Sequence, residues 1–240
     1  MAADVVHADS AEIAGRIARI RSAIQAAAEA GGRAASDVRL IAVSKTQPAA
    51  KIRAAYAAGQ RDFGENYAQE LLAKQAELAE LDDLRWHMIG HVQTNKLVKL
   101  VPVVSALHTV DSLKLAAELG KRAVPVPAAR SLTGDGRLLV FIEVNVSREP
   151  QKSGCAPEAV GALIEAVRAQ PGLALAGLMA VPAPGALEQH AELAALREQH
   201  GGAAALPELS LGMSGDFESA IRDHGSTSVR VGTAIFGGRG

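Results

Sequence analysis

Val38-Arg39-Leu40-Ile41-Ala42-Val43-Ser44-Lys45-Thr46-Gln47-Pro48 is the stretch that decides the fold. The run from Val38 to Ser44 is apolar, rich in β-branched residues and too short for a helix, which predicts a strand. Pro48 follows where a helix can begin, because the fixed φ of proline suits the first turn and its missing N–H is not needed there. The same alternation returns along the chain. Runs at 62–65, 84–89, 106–110, 138–146, 174–181, 208–212 and 228–235 read as further strands, separated by helical segments such as 67–81, 112–122, 157–169 and 187–200. Strand-helix units in this number, joined by short loops without a linker, predict an α/β fold. The reading is a single (β/α)8 TIM barrel over residues 1–240, favoured over an open doubly wound sheet.

Outside the repeat, Ile13, Ile17, Ile20 and Ile24 recur at helical spacing with Arg16, Arg19 and Arg21 between them, so residues 11–30 form an extra amino-terminal helix that stops at Gly31-Gly32. The chain ends soon after the last strand, leaving no room for an eighth helix, and helix 11–30 is expected to cover that gap. A chain starting near Ala34 should then lose solubility or thermal stability. Residues 123–136, with Pro125, Pro127, Gly134 and Gly136 at turn positions, read as a surface loop.

Composition removes several function classes. The 25 Lys and Arg against 26 Asp and Glu give a net charge of −1, and aromatic residues make up 3% of the chain, which leaves neither a cationic surface for phosphate backbones nor platforms for stacking bases. No nucleic-acid partner is implied, and no run approaches the length of a membrane span. The single cysteine, Cys155, suits a reducing compartment, and residues 1–10 lack the features of a signal peptide, so a cytoplasmic protein is expected. The absence of a long exposed apolar segment makes a monomer the expectation.

In a parallel barrel the chemistry lies at the carboxyl ends of the strands. Lys45 closes the first. An amine at a partly apolar barrel mouth is desolvated, which disfavours the ammonium and frees a lone pair for imine formation with an aldehyde; a solvated loop lysine is the plain alternative. Leu209-Ser210-Leu211-Gly212-Met213-Ser214-Gly215-Asp216-Phe217 runs from a strand through Gly and Ser into a helix, an arrangement that binds anions. Next comes Val229-Arg230-Val231-Gly232-Thr233, a strand with a charged residue between valines and a glycine that admits a ligand to the backbone. Each element has a plain reading too: Ser214 as a helix cap, Gly232 as a barrel bulge, Arg230 as a structural ion-pair partner. The loops after strands seven and eight are the recurrent phosphate site of this barrel. An imine-forming lysine facing a phosphate site points to a phosphorylated aldehyde, of which pyridoxal 5′-phosphate (PLP) is the commonest cofactor.

Ala42-Val43-Ser44-Lys45-Thr46, Phe63-Gly64-Glu65-Asn66-Tyr67, the run from His87 to Lys96, Gln151-Lys152-Ser153-Gly154, Gly177-Leu178-Met179-Ala180-Val181-Pro182, Gly212-Met213-Ser214 and the run from Gly225 to Gly237 occur in one order from Val38 to Gly237. Together they closely resemble the pyridoxal phosphate homeostasis proteins, whose barrel is similar to that of alanine racemase. The resemblance implies that PLP is held as an internal aldimine on Lys45, with Asn66 beside the cofactor and Met213, Ser214, Gly232 and Thr233 around its phosphate. Arg230 matches the arginine that faces the pyridine nitrogen. A guanidinium stays charged and only donates hydrogen bonds, so it leaves that nitrogen unprotonated and the ring a poor electron sink. The implied function is PLP binding and intracellular PLP homeostasis, buffering the cofactor or delivering it to apo PLP-dependent enzymes, with no catalytic residue and no metal. A PLP-dependent amino-acid racemase is the alternative; it needs a second acid or base on the opposite face of the ring, and Tyr56 and Tyr67 lie in predicted helices near the first two strands. A cofactor-free Schiff-base aldolase would be colourless. The segment after Pro182 is shorter than the family pattern, and Leu211 replaces a methionine of similar volume.

Other residues are set aside. His87 and His91 have the spacing of a helical metal pair but straddle a strand end and turn. Lys96 and Lys152 are rival amines, Cys155 lacks an adjacent base, and Glu65 either orients Lys45 or caps the next helix. Gly237-Gly238-Arg239-Gly240 is a tail, not a dinucleotide motif, because no helix follows it.

Overall fold

The computed structural model describes residues 2–238, with side chains from Ser10 onward. The tail residues Arg239 and Gly240 and the side chains of the signal-peptide reading at 1–9 lie outside the described residues. Eight strands, β1 (Arg39–Val43), β2 (Asp62–Glu65), β3 (Arg85–Met88), β4 (Val104–Val110), β5 (Leu138–Glu143), β6 (Leu173–Met179), β7 (Glu208–Ser210) and β8 (Ser228–Val231), pair in sequence order, and β8 returns to β1 to close the barrel. All pairs are parallel, with Ile41 opposite Arg230 at the β1–β8 seam and Ala42 opposite Phe63 between β1 and β2.

The helices are α1 (Ala2–Ala30), α2 (Ala49–Ala57), α3 (Ala68–Glu77), α4 (Leu97–Leu100), α5 (Leu113–Arg122), α6 (Val160–Arg168), α7 (Leu187–Gln199), α8 (Gly202–Ala205), α9 (Phe217–His224) and α10 (Thr233–Phe236). The spacing of Ile13, Ile17, Ile20 and Ile24 gives α1 one apolar stripe, and all four are buried. The stripe packs against α2, α9 and α10, so α1 spans the seam where the barrel closes. Polar contacts fix it there: Arg16 donates to the Ile235 carbonyl, and Arg33, just past the helix end, to those of Ile221 and Ser226.

The last predicted strand is corrected at its end. Residues 228–235 read as strand because Thr233 and Ile235 are β-branched, but β8 stops at Val231 and one turn of helix follows. The Gly232 carbonyl accepts from the Ile235 and Phe236 amides, and a short apolar run does not by itself separate strand from helix. The gap left for an eighth helix is therefore shared between α10 and α1. β5 and β6 likewise end earlier than their apolar runs; Val144 leaves the sheet to bridge Cys155. The irregular segment 123–136 holds a 3-10 turn (Ala128–Arg130), and Arg130 anchors it through the Val103 carbonyl.

Two kinds of core result. Apolar residues between strands and helices form the outer shell. A smaller cluster of Ala106, Leu139, Phe141, Ala174, Ala176 and Met179 lies along β4, β5 and β6 on the face that fills a barrel, its alternation broken in β6 where the β5–β6 register shifts before Gly177. His108, two residues after Ala106, shares that face and stacks on Phe141 with ring centroids 4.1 Å apart.

Candidate functional site

At the carboxyl ends of the strands a cavity of about 790 Å³ is lined by Lys45, Asn66, Met213, Ser214, Arg230, Gly232 and Thr233, together with apolar Val43, Ile89, Val181 and Leu187. Residues separated by most of the chain meet there because β1 and β8 are neighbours in the closed barrel.

Lys45 follows β1, and its flanks are held by a buried ionic cluster. Ser44 Oγ donates to Glu65 Oε1 at 2.7 Å, and Lys74 Nζ donates to the same oxygen at 2.7 Å and to the Ser44 carbonyl at 2.6 Å. Lys74 also reaches Glu70, whose carboxylate accepts the Thr46 amide at 2.6 Å. Thr46 takes a left-handed backbone, φ 63°, which this bond helps to hold. Burial pushes the Glu65 carboxyl up, opposed by its bonds from Lys74 and Ser44. Glu65 thus braces the backbone before Lys45 and does not cap α3, where Tyr67 is the cap residue. Lys74 was not singled out in the sequence; its position in a helix beside charged residues reads as surface.

Asn66 follows β2 and lies against Gly90. A Cβ on Gly90 would lie 2.2 Å from the Asn66 carbonyl oxygen, so only glycine lets the two loops approach this closely. On the opposite wall Gly212, at φ +94°, turns β7 into the Ser214 loop, and a Cβ there would meet Phe217 Cα at 2.9 Å. Asp216 Oδ1 accepts the Met213 amide at 2.6 Å and shapes the loop. Burial raises the Asp216 carboxyl, but its bonds from His190 and the Met213 amide outweigh this and hold it low. Ser214 Oγ accepts from the Gly232 amide at 3.4 Å and from Thr233 Oγ1 at 3.3 Å, tying the β7 and β8 loops together. The Ser214 and Gly215 amides have no hydrogen-bond partner among the described residues.

Arg230 is buried below this loop. Its Nη1 donates to the Ser210 carbonyl at 2.7 Å and to Ser210 Oγ at 2.8 Å, and its Nη2 to the Ala180 carbonyl at 2.7 Å. Burial lowers the guanidinium to about 10, against the pull of Glu143 and Asp216, so it stays charged at neutral pH. Glu143, at the end of β5, has Oε2 buried without a partner; burial and the nearby Asp111 charge push it up to about 7.

The remaining candidates lie elsewhere. Lys152 lines a smaller cavity of about 250 Å³ that shares Asn66, Ile89 and Val181 with the first, and pairs with Glu149 at 2.8 Å. Lys96 ends a 3-10 turn, Thr94–Lys96. His87 is buried in the barrel whereas His91 is exposed, 3.3 Å from Asp111. Tyr56 hydrogen-bonds Asp83, Tyr67 is exposed, and neither lines the main cavity. Burial pushes the Cys155 thiol up to about 12. No group of three or more metal-ligating side chains comes together among the described residues.

Residues 16–240 match the model of the alanine racemase N-terminal domain. The pyridoxal phosphate homeostasis protein of Pseudomonas aeruginosa is 50% identical over 234 residues, covering 95% of this chain and 96% of the relative. The chain belongs to the pyridoxal phosphate homeostasis protein family. The Escherichia coli K12 member is 41% identical over 95% of this chain and 97% of its own length. Among solved structures, PipY of Synechococcus elongatus with PLP bound is 38% identical with a TM-score of 0.73, covering 94% of this chain and all 100% of PipY. Alanine racemase from Corynebacterium glutamicum shares the fold alone, at 16% identity and a TM-score of 0.63 over 90% of this chain and 59% of the racemase.

Proposed function

We propose that this chain binds PLP in the cavity at the carboxyl ends of its strands and serves PLP homeostasis. The observation that carries the reading is that the seven residues chosen from sequence all line one cavity, with an amine on one wall and, among the described residues, unpartnered amides on the other. These residues fit the group: a cavity of about 790 Å³, a lysine, a serine- and glycine-rich loop for an anion, and a buried guanidinium. When bound, PLP supplies an aldehyde that a primary amine converts to a Schiff base with loss of water.

Lys45 is the amine, its backbone braced by Ser44, Glu65 and Lys74. Ser214, Gly232 and Thr233 hold the phosphate with hydroxyls and amides, and Met213 completes the loop. Asn66 flanks the ring. Arg230 meets the ring nitrogen with N–H groups that its bonds to Ser210 and Ala180 leave over, since a guanidinium carries five. A donor that does not surrender its proton leaves the ring nitrogen unprotonated and carbanion chemistry weakly assisted. The whole chain acts as one cofactor-binding barrel, a cytoplasmic monomer that buffers PLP or hands it to apo-enzymes, and not as a racemase. Tyr56 and Tyr67 lie outside the cavity, so neither supplies the second base that racemisation requires.

Titration of the purified chain with PLP, followed by visible absorption and by assay with D- and L-alanine, tests this. A saturable Schiff-base band without turnover supports a carrier. Sustained racemisation would establish the enzyme reading, and the absence of a band would overturn both.

A further inference from the structure

A row of buried polar side chains runs through the barrel beneath the cavity and is not explained by binding alone. Arg230 Nη1 donates to Ser210 Oγ at 2.8 Å, Ser210 Oγ lies 2.9 Å from His108 Nδ1, His108 Nε2 lies 2.9 Å from His87 Nδ1, and His87 Nε2 lies 2.8 Å from Asp62 Oδ1. The five residues come from β8, β7, β4, β3 and β2, and the step from β4 to β7 crosses the barrel interior. Both histidines and Ser210 are wholly inaccessible to solvent.

The chemistry of the two ends fixes the direction of every proton. A guanidinium only donates and a carboxylate only accepts. With both imidazoles neutral, Asp62 takes the Nε2 proton of His87, which leaves His87 Nδ1 as an acceptor. That nitrogen takes the Nε2 proton of His108, whose Nδ1 then takes the Ser210 hydroxyl proton. Ser210 Oγ has its lone pairs left for Arg230. Burial lowers both imidazoles, against the pull of Asp62 on His87. Asp62 is itself held below its ordinary value: burial pushes it up, and the His87 hydrogen bond and the charges of Arg85 and Arg39 outweigh that push.

We propose that Asp62, His87, His108 and Ser210 form a one-directional hydrogen-bonded row that positions the Arg230 guanidinium for the cofactor. This rests on the reading of Arg230 as the group that meets the ring nitrogen. The four are positioning residues, since none but Arg230 lines the cavity. The row makes Ser210 Oγ a committed acceptor, because its only proton is taken by His108. Arg230 therefore has one favoured orientation, with its remaining N–H groups directed by the far end of the barrel.

Two measurements test the row separately from the cofactor reading. Long-range proton–nitrogen correlation spectra of the labelled chain at neutral pH, assigned with His87→Gln and His108→Gln, should show both histidines neutral and protonated on Nε2. A proton on Nδ1 of either ring, or a cationic ring, overturns the row. Binding then reads its effect on Arg230. The intact chain should hold PLP about tenfold more tightly than the analogue with carbon in place of the ring nitrogen, the effect of one hydrogen bond to a charged donor. His108→Phe, which keeps a ring on Phe141, should reduce that preference to roughly twofold or less, and Ser210→Ala serves if that variant does not fold. An undiminished preference overturns the positioning role. A protein that never discriminates the two ligands contradicts the Arg230 assignment and with it the positioning role, while the tautomers still decide whether the row exists.

Discussion

The two ends of the barrel use their charges differently. At the amino ends Arg39 pairs with Glu208 at 2.8 Å, Arg85 with Asp62 at 2.7 Å, and Ser228 Oγ donates to Glu208. At the carboxyl ends the same eight strands present an amine, two unpartnered amides and a buried guanidinium to an open cavity. One end is neutralised for stability and the other keeps donors for a ligand, the division of labour that a parallel barrel permits. Substitutions at the first end should act chiefly on folding, Asp62 alone also reaching the ligand through its row to Arg230, and those at the second on binding.

The sharpest test is Asp62→Ala. It leaves Arg85, which is partly exposed, and the buried His87 without their carboxylate, and losing a hydrogen bond to a charged group costs about 1.5–3 kcal/mol, which urea unfolding should register. Glu143 is expected to blur the division, because it is a carboxyl-end residue that acts on folding. Its folded carboxyl titrates at about 7, above its ordinary unfolded value, so the folded state holds the extra proton between the two. Stability therefore falls as pH rises through that window and stays low above it. Glu143→Gln should gain about 3 kcal/mol over the parent near pH 8 and almost nothing near pH 4, read from thermal unfolding across pH.

Ser214→Ala should follow the rule for its end. Loss of the hydroxyl that ties Gly232 and Thr233 together should weaken PLP binding by about 1 kcal/mol. The same change should move unfolding by no more than about 0.5 kcal/mol, as for a half-exposed position. Leu211→Met, a change of similar volume at a buried position, should cost less than about 1.5 kcal/mol in unfolding and leave binding untouched.

The sequence made the barrel legible because most strands are short apolar runs that alternate with helical segments, and β2 has the predicted bounds, Asp62–Glu65. It misled at 232–235, where the start of a one-turn helix that buries Ile235 and Phe236 has the composition of a strand. The cavity residues were legible because they close strands or sit in glycine- and serine-rich loops. Lys74 and Glu143 were not, since the first resembles a surface helix residue and the second lies inside an apolar run. His108 and Ser210 are 102 residues apart in sequence, and nothing local in either segment signals that the barrel closes them to 2.9 Å.

Lys45 is the residue proposed to carry PLP. Borohydride reduction of the PLP-loaded chain, followed by peptide mass mapping, tests this most directly. The predicted result is one phosphopyridoxyl group on Lys45, lost in Lys45→Ala while that variant stays folded. Label spread over Lys96, Lys152 and surface lysines, or unchanged labelling in Lys45→Ala, would contradict it.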